Sequence, residues 1–228
     1  MSESERVARA QLSSDYDRIM SDAYRSRWAD SNPGNREIQI ERDAVLRSLT
    51  RFTLPDRPLR VLDLGCGSLS ILPETIDIDV RMGVDLLIGR LTDLAALGDT
   101  TPTVNGDGAH LPFPDETFDV VVMSTMMTSV LDDAIRRAVA AEVVRALRPG
   151  GAMLWYDMRL PNPLNAATRS IGRAELRRLF PTLSGEIRSL TVIPVVARRL
   201  DRFAPRLYPL LRTVPITRSH LAACLLKR

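Results

Sequence analysis

Val61-Leu62-Asp63-Leu64-Gly65-Cys66-Gly67-Ser68 is an apolar run that passes directly into a turn with glycine at alternate positions. A short run of this kind reads as a strand buried on both faces. Without Cβ atoms at Gly65 and Gly67, a ligand can lie directly against the backbone of the turn. A helix or helix-like turn is expected over Leu69–Leu72, where free N–H groups would favour an anionic or polar ligand end. Alone the pattern is weak, because a tight strand-to-helix connection that holds no ligand looks the same.

Outward from this turn, further short apolar runs lie at Arg60–Leu64, Arg81–Leu86, Thr103–Asn105, Phe118–Ser124 and Ala152–Met158. They alternate with loop or helical segments, the mark of stacked βα units and a mostly parallel sheet. A helix over Asp133–Leu147 stops at Arg148-Pro149-Gly150-Gly151, and Asp132-Asp133 at its start read as a cap and a dipole partner. Glu186–Val196 and His220–Leu226 read as a closing antiparallel pair. Residues 1–50 look helical, with a second helix from Glu37 to Phe52 after the turn-forming run Trp28–Asn35. The division expected is a helical cover or substrate lid over residues 1–55 and a ligand-binding α/β unit over 56–228, together one structural domain.

Two more loops share the carboxyl edge of this sheet. Gly83-Val84-Asp85 puts an acid at the end of the second strand, where a carboxylate can accept both hydroxyls of a ribose. Asn105-Gly106-Asp107-Gly108-Ala109-His110 follows the third strand, where an Asp can accept from an exocyclic amine beside backbone N–H groups. Three such loops describe a nucleoside site at the switch point of a parallel sheet.

The set Val61-Leu-Asp-Leu-Gly-Cys-Gly67, Gly83-Val-Asp85, Gly106-Asp107 with Leu111-Pro-Phe113, Phe118-Asp-Val-Val-Val122 and Leu147-Arg-Pro-Gly-Gly151 resembles the class I S-adenosylmethionine-dependent methyltransferases. It is most similar to their small, metal-independent branch that modifies small molecules. The resemblance spans residues 60–160 and implies a Rossmann-like α/β fold, with a seven-stranded, mostly parallel sheet whose last strand is antiparallel. It implies S-adenosyl-L-methionine across the carboxyl edge, leaving as S-adenosyl-L-homocysteine, and no metal. Gly65 and Gly67 would border the methionine part, with Asp63 supporting their turn. Asp85, with Leu86 beside it, would hold the ribose; Asp107, Gly108 and Ala109 would meet the adenine. Ser124 would face the sulfonium. The family's third glycine falls at Leu69, and the His often found after the fourth strand is lacking in Met123–Ser129.

Methyl transfer to a poised nucleophile needs alignment more than acid–base chemistry. Tyr156 and Asp157, at the end of the fifth strand, are the candidate catalytic residues. Tyr24, Trp28, Arg36 and Arg159 are candidates for contact with the acceptor. His110, a lone loop histidine, and Cys66, a small residue inside the turn, read as structural rather than chemical.

Composition bounds the rest. The 228 residues suit one large α/β domain, and 45% apolar content supplies a core. Two cysteines and two histidines rule out a disulfide framework or a multi-histidine metal centre. With no apolar run of membrane-spanning length and no apolar stretch at the N-terminus, the chain reads as soluble and cytoplasmic. Of 31 basic residues only Lys227 is lysine, and the basic excess gathers after Ile187. Within that quarter, Leu200, Phe203, Leu207, Leu210 and Leu211 form a helical apolar stripe, broken by Pro205 and Pro209. A lid over the acceptor is expected there; a surface helix on anionic membrane fits the same pattern.

The function expected is methyl transfer to a small molecule in the biosynthesis of a specialised metabolite. An RNA or protein methyltransferase and a cofactor-binding but inactive scaffold are the alternatives. A nicotinamide dehydrogenase is disfavoured, because Ser70 takes the last glycine position of its fingerprint. The partner expected is a small methyl acceptor, with no nucleic acid and no stable membrane insertion.

Overall fold

A computed structural model describes residues 31–51, 53–67, 71–74, 76–96, 98–162, 165 and 167–228. Seven strands form one sheet: β1 (Leu59–Leu64), β2 (Ile78–Asp85), β3 (Thr103–Asn105), β4 (Phe118–Ser124), β5 (Leu147–Met158), β6 (Leu183–Val192) and β7 (Arg218–Lys227). Their order is β3-β2-β1-β4-β5-β7-β6, with β7 antiparallel to both of its neighbours and the remaining pairs parallel. This is the Rossmann-like α/β sheet the family resemblance implies.

Alternation along the strands sorts the core into two layers. Leu62, Leu64, Met123, Met153 and Trp155 face one side, under α3 (Asp133–Ala146) and α4 (Arg173–Leu179). Val61, Val122, Leu154 and Tyr156 face the other, under Leu46 and Leu49 of α1 (Pro33–Thr50). Helix α2 (Ile88–Ala96) flanks β2 and β3.

Strands β3 and β4 coincide with their expected limits. The second strand begins earlier than expected, at Ile78, because its first half lies part-exposed near the sheet edge and lacks an unbroken apolar run. The fifth also begins early: Leu147 pairs with Phe118, and the Arg148–Gly151 stop lies inside the strand as an irregularity. The expected second helix starts at Pro33 instead of Glu37. Asn32 caps it, its Oδ1 accepting from Gly34 N at 2.9 Å and Asn35 N at 3.3 Å, and Pro33 takes the first turn. Ile71 and Leu72 are not helical; Leu69 and Ser70 lie outside the described residues.

No residue of the expected lid segment lines the cavity described below. The segment folds as α5 (Pro194–Arg199), a 3₁₀ turn (Asp201–Phe203) and α6 (Ala204–Leu211), all packed on α1. Ala197 and Tyr208 join Ile38 and Val192 in a small core of their own. Gly34 permits that packing: a Cβ there would collide with the Ala197 carbonyl. Tyr208 donates to Glu41 Oε2 at 2.6 Å, and the same oxygen accepts from Thr191 N at 2.9 Å.

Candidate active site

The carboxyl ends of β1, β2, β3 and β4 open onto a cavity of about 270 Å³. Gly65 and Gly67 form its floor, Asp85 and Leu86 one side, and Asp107 and Gly108 another; Ser124 ends β4 at its rim. Seven residues expected around the cofactor are thus brought together. Ala109 is buried behind them, its N–H donating to Asp107 Oδ1 at 2.9 Å. Asp63 does not line the cavity; it is buried on the far face of β1, where Arg81 donates to its Oδ2 at 2.9 Å.

The turn after β1 is built for close approach. Gly65 has φ +73°, and a Cβ there would lie 2.6 Å from Met126 Cγ. Both facts demand glycine. The Asp85 carboxylate is fixed by two backbone donors, Gly67 N at 3.0 Å and Leu87 N at 2.9 Å. A carboxylate offers about four acceptor positions, so this one keeps capacity for a pair of ribose hydroxyls. A cradle that a side chain would fill, beside an anchored acid, fits S-adenosylmethionine.

The opposite wall was not foreseen. Met126, Val130, Leu131, Ile135, Val139 and Ala167 give it an apolar surface. Ile135 and Val139 lie four apart on one face of α3, a spacing the helix pattern did contain, with Leu131 just before the helix. Arg90 of α2 also reaches the cavity and covers Gly67.

A buried polar frame stands behind this wall. Asp157 Oδ1 accepts from Thr128 Oγ1 and Met158 N, each at 2.8 Å, and Oδ2 accepts from Thr128 N at 3.1 Å. Arg136 is fully buried; its guanidinium donates to Val130 O at 2.6 Å, Glu175 Oε1 at 2.7 Å and Arg169 O at 2.8 Å. Arg169 N donates to Thr128 O at 2.8 Å, closing the network around the loop after β4.

Of the expected catalytic and acceptor residues, the described ones do not line the cavity. Tyr156 points to the α1 face, stacks on His220 with centroids 4.9 Å apart and shares a 2.9 Å hydrogen bond with Thr191 Oγ1. Burial pushes its phenol above the ordinary range. Asp157 points to the cavity's side of the sheet, but Thr128 stands on it; burial pushes its carboxyl up to about 6. Arg159 donates to Arg218 O at 3.0 Å and Arg36 lies exposed on α1, neither lining the cavity. Tyr24 and Trp28 lie outside the described residues.

Burial pushes the Cys66 thiol up to about 12, and burial holds His220, across the sheet, down to about 3. His110 is exposed, with Nδ1 3.2 Å from Asp107 Oδ2. Among the described residues no three acidic, histidine or cysteine side chains form a metal-binding group.

Residues 61–151 match a methyltransferase-domain family. The demethylmenaquinone methyltransferase of Mycolicibacterium paratuberculosis is 29% identical over 160 residues, 68% of this chain and 65% of that protein. A fatty-acid O-methyltransferase of Mycolicibacterium smegmatis is 32% identical over 165 residues, 65% of this chain and 56% of that protein. The chain therefore covers less than two thirds of these relatives' own length. A methyltransferase structure from Thermotoga maritima superposes with a TM-score of 0.66 at 16% identity, covering 95% of this chain and all of that one. Strand order, glycine turn, anchored acid and matched segment agree: the chain carries a class I S-adenosylmethionine-dependent methyltransferase domain.

Proposed function

We propose that this chain transfers the methyl group of S-adenosylmethionine to an apolar small molecule, in the biosynthesis of a specialised metabolite. The observation that carries this reading is a cavity with two unlike walls. Gly65, Gly67, Asp85 and Asp107 make a polar cradle, and Met126, Val130, Leu131 and Ile135 face it with an apolar surface. The two relatives named above act, by their names, on demethylmenaquinone and a fatty acid, which favours an apolar acceptor here.

The bound cofactor supplies an electrophilic methyl on a positively charged sulfur. The rest falls to the protein. Asp85 and Asp107 orient the nucleoside, the glycine turn admits the methionine part, and the apolar wall aligns the acceptor while excluding water. Asp157 acts as a positioning residue, holding Thr128 and with it the loop that forms the acceptor wall.

The test is label transfer from methyl-labelled S-adenosylmethionine in an extract of the source cell. Label in the organic-extractable fraction supports the reading. Label in RNA or protein overturns the substrate class, and cofactor binding with no transfer to any fraction would leave an inactive scaffold.

A further inference from the structure

The segment between β6 and β7 is apolar on two faces, and among the described residues only one of them is covered. Leu200, Ala204, Tyr208 and Leu211 recur at helical spacing and turn inward onto α1, where Ala204 and Tyr208 are fully buried. Phe203, Leu207 and Leu210 follow the same spacing on the outside and stay 50%, 41% and 65% exposed. Val214 and Ile216 extend this outer row at 42% and 79%. A helix apolar on both sides needs an apolar environment on both.

The charges beside the row select that environment. Between Pro194 and Thr217 stand five arginines and one acid, Asp201. Arg199, Arg202, Arg206 and Arg212 are exposed, and the Arg202 guanidinium lies 4.9 Å from the centre of the Phe203 ring. A second copy would set these arginines against themselves, because a two-fold interface presents the same patch from both sides. A nucleic-acid backbone would satisfy the arginines but offer nothing to Leu207, Leu210 or Ile216. An anionic bilayer satisfies both, taking the aliphatic row below its headgroups and the guanidiniums among them.

We propose that the outer face of residues 194–217 docks the protein on the surface of an anionic membrane, with α6 lying in the interface plane. No residue of this segment lines the cavity, so docking and the methyl-transfer site are separate features of the molecule. No helix among the described residues is long and apolar enough to span a bilayer.

The experiment is co-sedimentation of the full chain with vesicles of phosphatidylcholine alone and of phosphatidylcholine mixed with phosphatidylglycerol, at low and high salt. Binding to the mixed vesicles only, weakened by salt, is expected. Leu207→Ser with Leu210→Ser should abolish it at both salt concentrations. Arg202→Gln with Arg206→Gln should cut partitioning by roughly tenfold or more. All four side chains are exposed, and circular dichroism and the melting temperature check that the fold is kept. Absence of sedimentation with mixed vesicles overturns the proposal, as does binding indifferent to the leucine substitutions, which would be unspecific charge attraction. So does a wild-type dimer by light scattering that the leucine variant converts to monomer, because the row would then belong to a second copy.

Discussion

Asp157→Asn tests the buried frame behind the acceptor wall, and its effect should depend on pH with a definite sign. Burial raises the Asp157 carboxyl from 3.8 to about 6, prevailing over the hydrogen bonds from Thr128 and Met158 and the attraction of Arg136. A folded-state value above the unfolded one means that folding favours the protonated acid. The stabilisation is therefore fully present below about pH 4 and is lost as pH rises through 6. At roughly 1.4 kcal/mol per pH unit, the span from 3.8 to about 6 corresponds to on the order of 3 kcal/mol. Asparagine has the shape of the protonated acid and carries no charge, so it should lack this dependence.

Chemical denaturation of both proteins at several pH values between 4 and 7 measures the difference. Near pH 4 the two should be about equally stable. By pH 7 the variant should be favoured by up to about 3 kcal/mol, less whatever the amide loses against the Thr128 N–H. Subtracting one curve from the other removes the groups common to both. A difference that stays flat, or that turns against the variant as pH rises, would refute the assignment of Asp157 as a desolvated anchor. Activity gives a second reading: a positioning role leaves a reduced rate with an unchanged pH profile, whereas a general base would take the rate to background.

Gly65→Val should abolish cofactor binding by calorimetry, since the new side chain meets Met126 and its left-handed φ alone costs about 1–2 kcal/mol. Asp85→Ala should keep the fold by circular dichroism and weaken cofactor affinity by roughly 1–3 kcal/mol, the range for losing a charged hydrogen-bond partner. Treatment with EDTA should leave the methyl-transfer rate unchanged, and restoration of a lost rate by magnesium would contradict that.

The glycine-turn side of the cavity was legible in the sequence because its requirements are local. A glycine with φ +73° and an acid closing a parallel strand are properties of one short segment each, and the strand order aligns the segments. The acceptor half depends on which face of the sheet a side chain meets and on what stands in front of it. Tyr156 and Asp157 are adjacent and both at the end of β5, yet the pleat sends Tyr156 to the α1 layer and Asp157 to the α3 layer. Even on the correct side, Asp157 is screened by Thr128, and no spacing in the sequence announces a turn that folds back over its own neighbouring strand. The packing partner of the segment expected as a lid was hidden for a similar reason. Its apolar stripe was real, but Leu200, Ala204, Tyr208 and Leu211 found their partner in α1, which the sequence places far away.

That division between frame and lining carries a consequence for how the acceptor is chosen. Arg136 binds the Val130 and Arg169 carbonyls and Glu175 at once, and Asp157 accepts two hydrogen bonds from Thr128 and one from Met158 N. Removing Glu175 leaves the buried Arg136 charge without its ion-pair partner, at a cost of about 3–5 kcal/mol, so the course of the loop is set by side chains that do not line the cavity. The lining residues Val130, Leu131 and Ile135 carry no such obligation. Their side chains meet the cavity, while the carbonyl of Val130 and the turn before α3 are held from behind. Exchanging these apolar side chains alters the shape and depth of the wall without moving its backbone. Under the proposed function, this loop and the first turns of α3 would shape the acceptor side of the cavity, whereas the glycine turn, Asp85 and Asp107 would set where the methyl group is presented.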